Sequence, residues 1–212
     1  MDDILRLSDL VAARLCHDIA GVMATLSGML ELAGDPRAPP EAIAAASEAA
    51  TELTHRLDLL REAWTGEAAG LNLTGLQALA RGLPGAHRLR LDLSALPQAS
   101  VFPPRMARLV LNAILMAAES LPRGGMIGLA AAGRQDLLIT IAGPRGGWPP
   151  RLAACLVNEQ AALEALQGPR TLMAPLVALL ARHLGIRVSI LLPTGRVRRA
   201  MPPLLLSPES LV

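Results

Sequence analysis

Apolar residues recur at three- and four-residue steps through the first third of the chain, a spacing that predicts two long helices. In the first, Ile4, Leu7 and Val11, then Leu15, Ile19, Val22, Leu26, Met29 and Ala33 share one face, with a small register slip between Val11 and Leu15. Gly34-Asp35-Pro36 ends this helix, and Ala38-Pro39-Pro40 leads into the next with proline where a helix start tolerates it. The second helix carries Ile43, Ala46, Ala50, Leu53, Leu57, Leu60 and Trp64 in unbroken 3-4 alternation, and Thr65-Gly66 stops it. Helices of about 30 and 25 residues span roughly 45 and 37 Å, and a short connection makes them an antiparallel hairpin. One hairpin alone cannot bury both stripes. The expectation is a homodimer, closed as a four-helix bundle about a two-fold axis.

The pattern then changes. Arg88–Leu93 alternates at period two, which predicts a half-buried strand. Pro103-Pro104 opens a helix with Met106, Leu109, Val110, Ala113, Ile114 and Ala117 inward, closing near Leu121-Pro122. Arg123-Gly-Gly125 turns into a strand at Met126–Ala131, and Gly133–Asp136 turns into another at Leu137–Ala142. Helical segments follow at about Pro150–Gln167 and Thr171–Leu184, then strands at Ile186–Leu192 and near Ala200–Leu206. This order fits helices on one face of a mixed sheet. The organisation is thus a helical hairpin over residues 1–66 and an α+β domain over 70–212.

Composition sharpens that picture. The chain is 52% apolar but only 1% aromatic, so its core is aliphatic, which suits helix packing. All 20 basic residues are arginine, a bias that a GC-rich genome explains without function. Residues 1–65 hold 11 acids against 5 arginines, and 66–212 hold 7 against 15. The basic second part, with no aromatic-basic interleaving and no basic run beyond Arg196–Arg199, points to a solvated face or an acidic protein partner rather than nucleic acid. Cys16 and Cys155 give neither a disulfide framework nor metal spacing. The acidic start is unlike a signal peptide, and the uncharged apolar runs fall short of the roughly 20 residues a bilayer requires. These features predict a cytoplasmic protein that does not engage membranes.

Candidate chemistry lies in the first helix, at Leu15-Cys16-His17-Asp18-Ile19. At about 100° per residue, His17 sits about 200° from both Leu15 and Ile19 and looks away from the apolar stripe. Its neighbours on its own face are Ala13, Arg14, Gly21 and Ala24, mostly small, so a flat partner can approach closely. An exposed imidazole beside an acid suits phosphoryl relay; the plain alternative is a surface histidine followed by an ordinary helical acid. Arg14, one turn earlier, either steadies phosphate or faces solvent in a helix salt bridge. Cys16 and His17 point about 100° apart, and two ligands do not close a metal site, so burial of Cys16 against a partner helix is the better reading. His55 lies roughly level with His17 and either rims a docking face or is a plain surface residue. His87 and His183 carry less.

The string Leu10–Ile19, with Arg-Leu-Cys-His-Asp at its centre, resembles the histidine box of the ChpT-type histidine phosphotransferases. Arg56-Leu-x-Leu-Leu-Arg-x-Ala-Trp64-x-Gly66 is similar to the end of that family's second helix, and Leu111-Asn112 through Gly125 to its later asparagine-containing helix. The resemblance implies a dimer of helical hairpins with side domains like a degenerate histidine-kinase ATPase (Bergerat) fold that no longer bind ATP. It implies His17 as phosphoacceptor and Asp18 as proton acceptor. It further implies receiver-domain partners: a CckA-like hybrid histidine kinase and CtrA-like and CpdR-like response regulators, in cell-cycle signalling. No cofactor or metal of its own is expected, the receiver supplying Mg²⁺. Gly21 stands where related phosphatases hold Thr or Asn, and Val22 replaces a proline common in histidine kinases.

Two rival readings share the fold. A working ATP-dependent kinase would use Asn112 at the nucleotide, yet after the strand at Leu137–Ala142 the chain reads Ala142-Gly-Pro-Arg-Gly-Gly-Trp148, with no carboxylate for adenine. The stretch before Thr171 has only Gly168, too little for a phosphate-cradling lid. A non-catalytic scaffolding dimer differs only in whether His17 transfers phosphate.

Overall fold

The computed structural model describes residues 2–35, 39, 41–65, 70–133, 135–192 and 201–209. Pro36, Ala38, Pro40, Gly66, Arg134, the Arg196–Arg199 run and Ala200, to which the sequence reading assigned turns, a basic run and a strand start, lie outside these residues.

Helix α1 spans Asp2–Ala33 and α2 spans Glu41–Trp64, packed along each other as a hairpin. The stripe expected on α1 is half-buried from Leu7 to Ala33, and only Ile4 at its start is exposed. On α2 the inward face is rotated from the expected one. Ala42, Ala46, Ala49, Arg56, Leu59, Leu60 and Ala63 are buried, while Ile43, Ala50 and Leu57 face outward. The reason is that α2 serves two neighbours. Its first turns rest on α1, and Leu59, Leu60 and Ala63 enter the core of the α+β domain. By length and apolar content α1 could also cross a bilayer, a property that counting uncharged runs had not revealed.

Beyond the hairpin come β1 (Leu71–Asn72), α3 (Leu73–Ala80), β2 (Leu89–Ala95), β3 (Val101–Phe102), α4 (Pro104–Glu119), β4 (Gly125–Ala131) and β5 (Leu137–Ala142). They are followed by α5 (Leu152–Val157), α6 (Glu159–Glu164), α7 (Met173–Leu184), β6 (Ile186–Ile190) and β7 (Leu204–Pro208). Five strands form a mixed sheet in the order β2-β4-β5-β7-β6, in which only β2 and β4 are parallel. Helix α4 is the crossover between them. It starts at Pro104, whose missing N–H costs nothing in the first turn.

Gly124 and Gly125 enter β4 at φ 78° and 149°, and a Cβ there would strike the carbonyls of Arg88 and Ala142. Gly185 ends α7 at φ 65°, the left-handed cap that hands the chain to β6. The single helix expected over 150–167 is broken at Asn158, whose side chain accepts from the Gln160 N–H and caps α6. The last strand runs Leu204–Pro208, later than expected.

The core lies between one sheet face and α4 with α7. Leu93, Ile127, Leu129, Ile139, Ile141, Val188, Leu204 and Leu206 point into it from the strands. Almost all of α4 is buried, from Met106 to Ala118. One consequence governs the site: the end of α4 emerges beside the middle of α1.

Candidate functional site

Because the apolar stripe of α1 turns toward α2, the opposite face is left to solvent, and His17 stands there with 58% of its side chain exposed. Its Nδ1 lies 3.3 Å from Asp18 Oδ1. Asp18 is nearly covered, and its other oxygen, Oδ2, accepts from Arg14 Nε at 2.8 Å across one helical turn. Arg14 is buried and does not face solvent. Its Nη1 donates to the Pro169 carbonyl at 3.1 Å, and its Nη2 to Glu119 Oε1 at the end of α4. The guanidinium is thus held on three sides by protein, and its task here is to fix Asp18.

From α2, Arg56 joins the same cluster. Its Nη2 is 3.9 Å from Glu52 Oε1, and its buried Nε has no hydrogen-bond partner among the described residues. Burial pushes the Arg56 guanidinium below its ordinary value, against the pull of Asp18, Glu52 and Glu119, with Arg14 adding repulsion. For Arg14, burial also opposes the charge, but Glu119 and Asp18 outweigh it and its pKa is raised. Burial lifts the Glu119 carboxyl above the usual glutamate range despite Arg14 beside it. Two cations and two anions therefore form a nearly dry, mutually compensated group, the condition under which buried charge is tolerated.

This arrangement fixes the imidazole. A carboxylate can only accept, so a ring nitrogen that bonds to Asp18 must be the one bearing hydrogen, and a neutral ring so bonded would present its lone pair at Nε2. Around the ring, Ala13, Gly21 and Ala24 are all exposed, and a Cβ added at Gly21 would meet nothing within 4 Å. Packing within the chain does not require glycine there. What it leaves is a smooth surface beside an available nitrogen.

His55 is elsewhere. It packs under the turn at Gly82, where an added Cβ would lie 2.2 Å from the His55 carbonyl, and shares a shallow cleft with Arg81 and His87. The α2 residue that reaches the Asp18 cluster is its neighbour Arg56. Arg56 and Glu119 both fall within the strings that resemble the family, where neither carries an expected role. Each had a signal: Arg56 is a charge set among Leu53, Leu60 and Ala63 at helical spacing, and Glu119 is the only acid in α4. The Pro169 carbonyl had none.

The residues that the kinase reading would use have hydrogen-bond partners within the chain. Asn112 is buried; its Nδ2 donates to the carbonyls of Ala63 and Arg108, at 3.0 and 2.9 Å, and its Oδ1 accepts from Trp64 Nε1 at 3.0 Å. Gly146 N–H donates to the Gly143 carbonyl and Gly147 N–H to the Ser120 carbonyl, as a turn packed on the end of α4.

Residues 73–195 match the family model described as the histidine phosphotransferase C-terminal domain, more than half of the chain. The chain belongs to the histidine phosphotransferase family. That family places it in two-component phosphorelay signalling. The chain is similar to the protein phosphotransferase ChpT of Brucella abortus (strain 2308), 24% identical over 190 residues that cover 88% of this chain and 90% of that protein. Its fold is that of a bacterial phosphotransferase solved at 1.7 Å, with TM-score 0.73, 22% identity and 95% of each chain covered. For a histidine phosphotransferase, the family model covers the α+β domain, while His17 lies on the hairpin before it.

Proposed function

We propose that this histidine phosphotransferase relays a phosphoryl group through Nε2 of His17 between receiver-domain aspartates, as a homodimer and without ATP. The observation that carries the reading is the exposed imidazole whose Nδ1 meets Asp18 while Asp18 is fixed from behind by Arg14. In the forward step the Nε2 lone pair attacks phosphorus in line, the P–N bond forms, the bond to the receiver's carboxylate oxygen breaks, and that aspartate leaves with the electron pair. The ring gains positive charge as it attacks, and Asp18 stabilises it through the Nδ1 proton. The reverse step returns the group to a second receiver. Magnesium belongs to the receiver in this reading, and this chain contributes the nucleophile, its orientation and a docking surface.

The partners fitting this chemistry are receivers of the kind the resemblance implied, CckA-like on the donor side and CtrA-like and CpdR-like on the acceptor side. The arginine excess of residues 66–212 suits an acidic partner surface, and a cytoplasmic location follows from such partners. Residues 1–66 would act as the dimerisation and phosphotransfer hairpin and 70–212 as a degenerate kinase-like domain. Against ATP-dependent kinase action stand the engaged amide of Asn112, the hydrogen-bonded N–H groups of Gly146 and Gly147, and a stretch from Ala142 to Trp148 with no carboxylate for adenine.

A second copy is supported by what one chain leaves uncovered. On α1, exposed Cys16, Met23 and Leu30 form one seven-residue row, and exposed Leu5 and Ala12 run on into the half-buried Ile19 and Leu26 in another; Leu30 is 57% exposed. On α2, Ile43, Ala50 and Leu57 continue the pattern, with Ile43 67% exposed. Paired rows at heptad spacing are the seam of a helical bundle, and closing it would cover Cys16.

The test is incubation with a phosphorylated receiver domain carrying radiolabelled phosphate. Label should move to the wild-type chain and not to His17→Ala, and labelled ATP alone should leave both unlabelled. Transfer to His17→Ala would overturn the assignment.

A further inference from the structure

Arginine offers carboxylates a side-on fork made of Nε and the Nη2 on the same edge, and both prongs together claim both oxygens of one carboxylate. In this protein the Arg14 guanidinium is shared among three acceptors. Nε binds Asp18 Oδ2, while Nη2 is taken by Glu119 from the end of α4, and Nη1 by the Pro169 carbonyl. Asp18 meets Arg14 through Oδ2 and His17 Nδ1 through Oδ1, the latter at 3.3 Å. Arg56, the other buried cation of the cluster, keeps its Nη2 toward Glu52.

We infer that Glu119 is a positioning residue for His17: by anchoring Nη2 it fixes the plane in which Arg14 presents Nε to Asp18 Oδ2, and so holds Asp18 with Oδ1 toward the imidazole and the ring proton on Nδ1. The inference rests on the relay reading for its kinetic consequence, but not for its structural one. Among the described residues the partner recorded at Nη2 is Glu119, so the α+β domain contributes to the site at a distance from the reacting nitrogen. With Nη2 released, the guanidinium is free to swing, and Nε no longer holds Asp18 Oδ2 in one place. Asp18 then turns its Oδ1 away, and the ring is free to place its proton on Nε2, where it blocks attack.

Glu119→Met fills the same space and offers Nη2 nothing. It should shift the ¹⁵N imidazole signals of His17 in the full-length protein from the Nδ1–H form toward the Nε2–H form. Phosphotransfer from a labelled receiver should slow about tenfold, a part of the roughly 10² or more that a positioned proton acceptor contributes. Glu119→Gln keeps a weaker, neutral acceptor in place and should slow transfer about threefold; it stands as the test by itself if the methionine variant does not fold. In an Asp18→Asn background neither change should alter the signals further, because Asp18 carries the effect. Wild-type imidazole signals in both Glu119 variants, or additive effects in the Asp18→Asn background, would overturn the inference. The imidazole spectrum needs no receiver, so it reports on Glu119 even should His17 prove to accept no phosphate.

Discussion

Asp18 divides its two oxygens between an arginine behind it and an imidazole in front, and that division gives an ordinary helical acid a chemical task. In Asp18→Asn the side chain must still satisfy Arg14 Nε with an acceptor, so its carbonyl turns inward and its amide N–H₂ turns toward His17. The ring nitrogen facing a donor must accept, which moves the proton to Nε2. Transfer from a phosphorylated receiver should fall by about 10²-fold, with His17 as exposed as before, and the ¹⁵N spectrum should report the exchanged tautomer. A rate within threefold of wild type would show that Asp18 does not set the tautomer. At this scale the sequence was informative for residues whose chemistry is local. His17 and Asp18 are adjacent, and a helix with a known stripe fixes where the imidazole points. Arg14 was visible as a candidate, but not its surroundings, because those come from 105 and 155 residues away. His55 and Arg56 differ by one position and so by about 100° of rotation. Counting rise along the hairpin cannot choose between them; the packing of α2 on the α+β core does.

At the scale of elements, the junction between hairpin and sheet domain depends on a buried amide. Asn112 joins α4 to the last turn of α2 through the Ala63 carbonyl and the Trp64 indole N–H, while its third bond stays within α4. Asn112→Ala would leave the Ala63 carbonyl without this donor, and would strip Trp64 of its acceptor. A loss of about 2–4 kcal/mol is expected, since unmet buried groups cost about 1–3 kcal/mol each, and urea denaturation of the variant would measure it. A change below 0.5 kcal/mol would mean that the junction is held by apolar contact alone. Long elements were legible because several turns repeat the same spacing: α1, α2, α4 and α7 all fall close to their expected spans. The two-residue strands β1 and β3 are too short to show a period, and α3 covers only eight residues with Gly75 inside it. What marks α3 is Asn72, whose side chain accepts from the Gly75 N–H as an N-cap. The rotation of α2 was hidden for a different reason: its apolar stripe is wide enough for two partners, and spacing alone does not say which partner takes which edge.

For the whole molecule, the two edges of that stripe lead to a separable pair of properties. One edge builds the chain itself, joining Leu59, Leu60 and Ala63 to the α+β core. The other edge, with Ile43, Ala50 and Leu57, is open, and Leu57 is 43% exposed. In the proposed dimer Leu57 would sit in the seam, where a carboxylate from each copy would be desolvated without a cation to meet it. Leu57→Glu should therefore convert a species of twice 22.2 kDa into one of 22.2 kDa, as read by light scattering after gel filtration. A wild-type chain already of single mass would end the dimer proposal. Among the described residues, the groups recorded around His17 and Asp18, namely Arg14, Glu119, the Pro169 carbonyl and Arg56, come from the same chain. In that proposal the second copy would cover apolar surface and steady the long helices, and the recorded groups at the ring would not depend on it. The monomeric variant, where folded, should keep the Nδ1–H form of His17 and accept phosphate within a few-fold of the dimer. If it instead loses the tautomer along with the partner, the second chain must be reaching the Asp18 cluster after all, and the site belongs to the assembly.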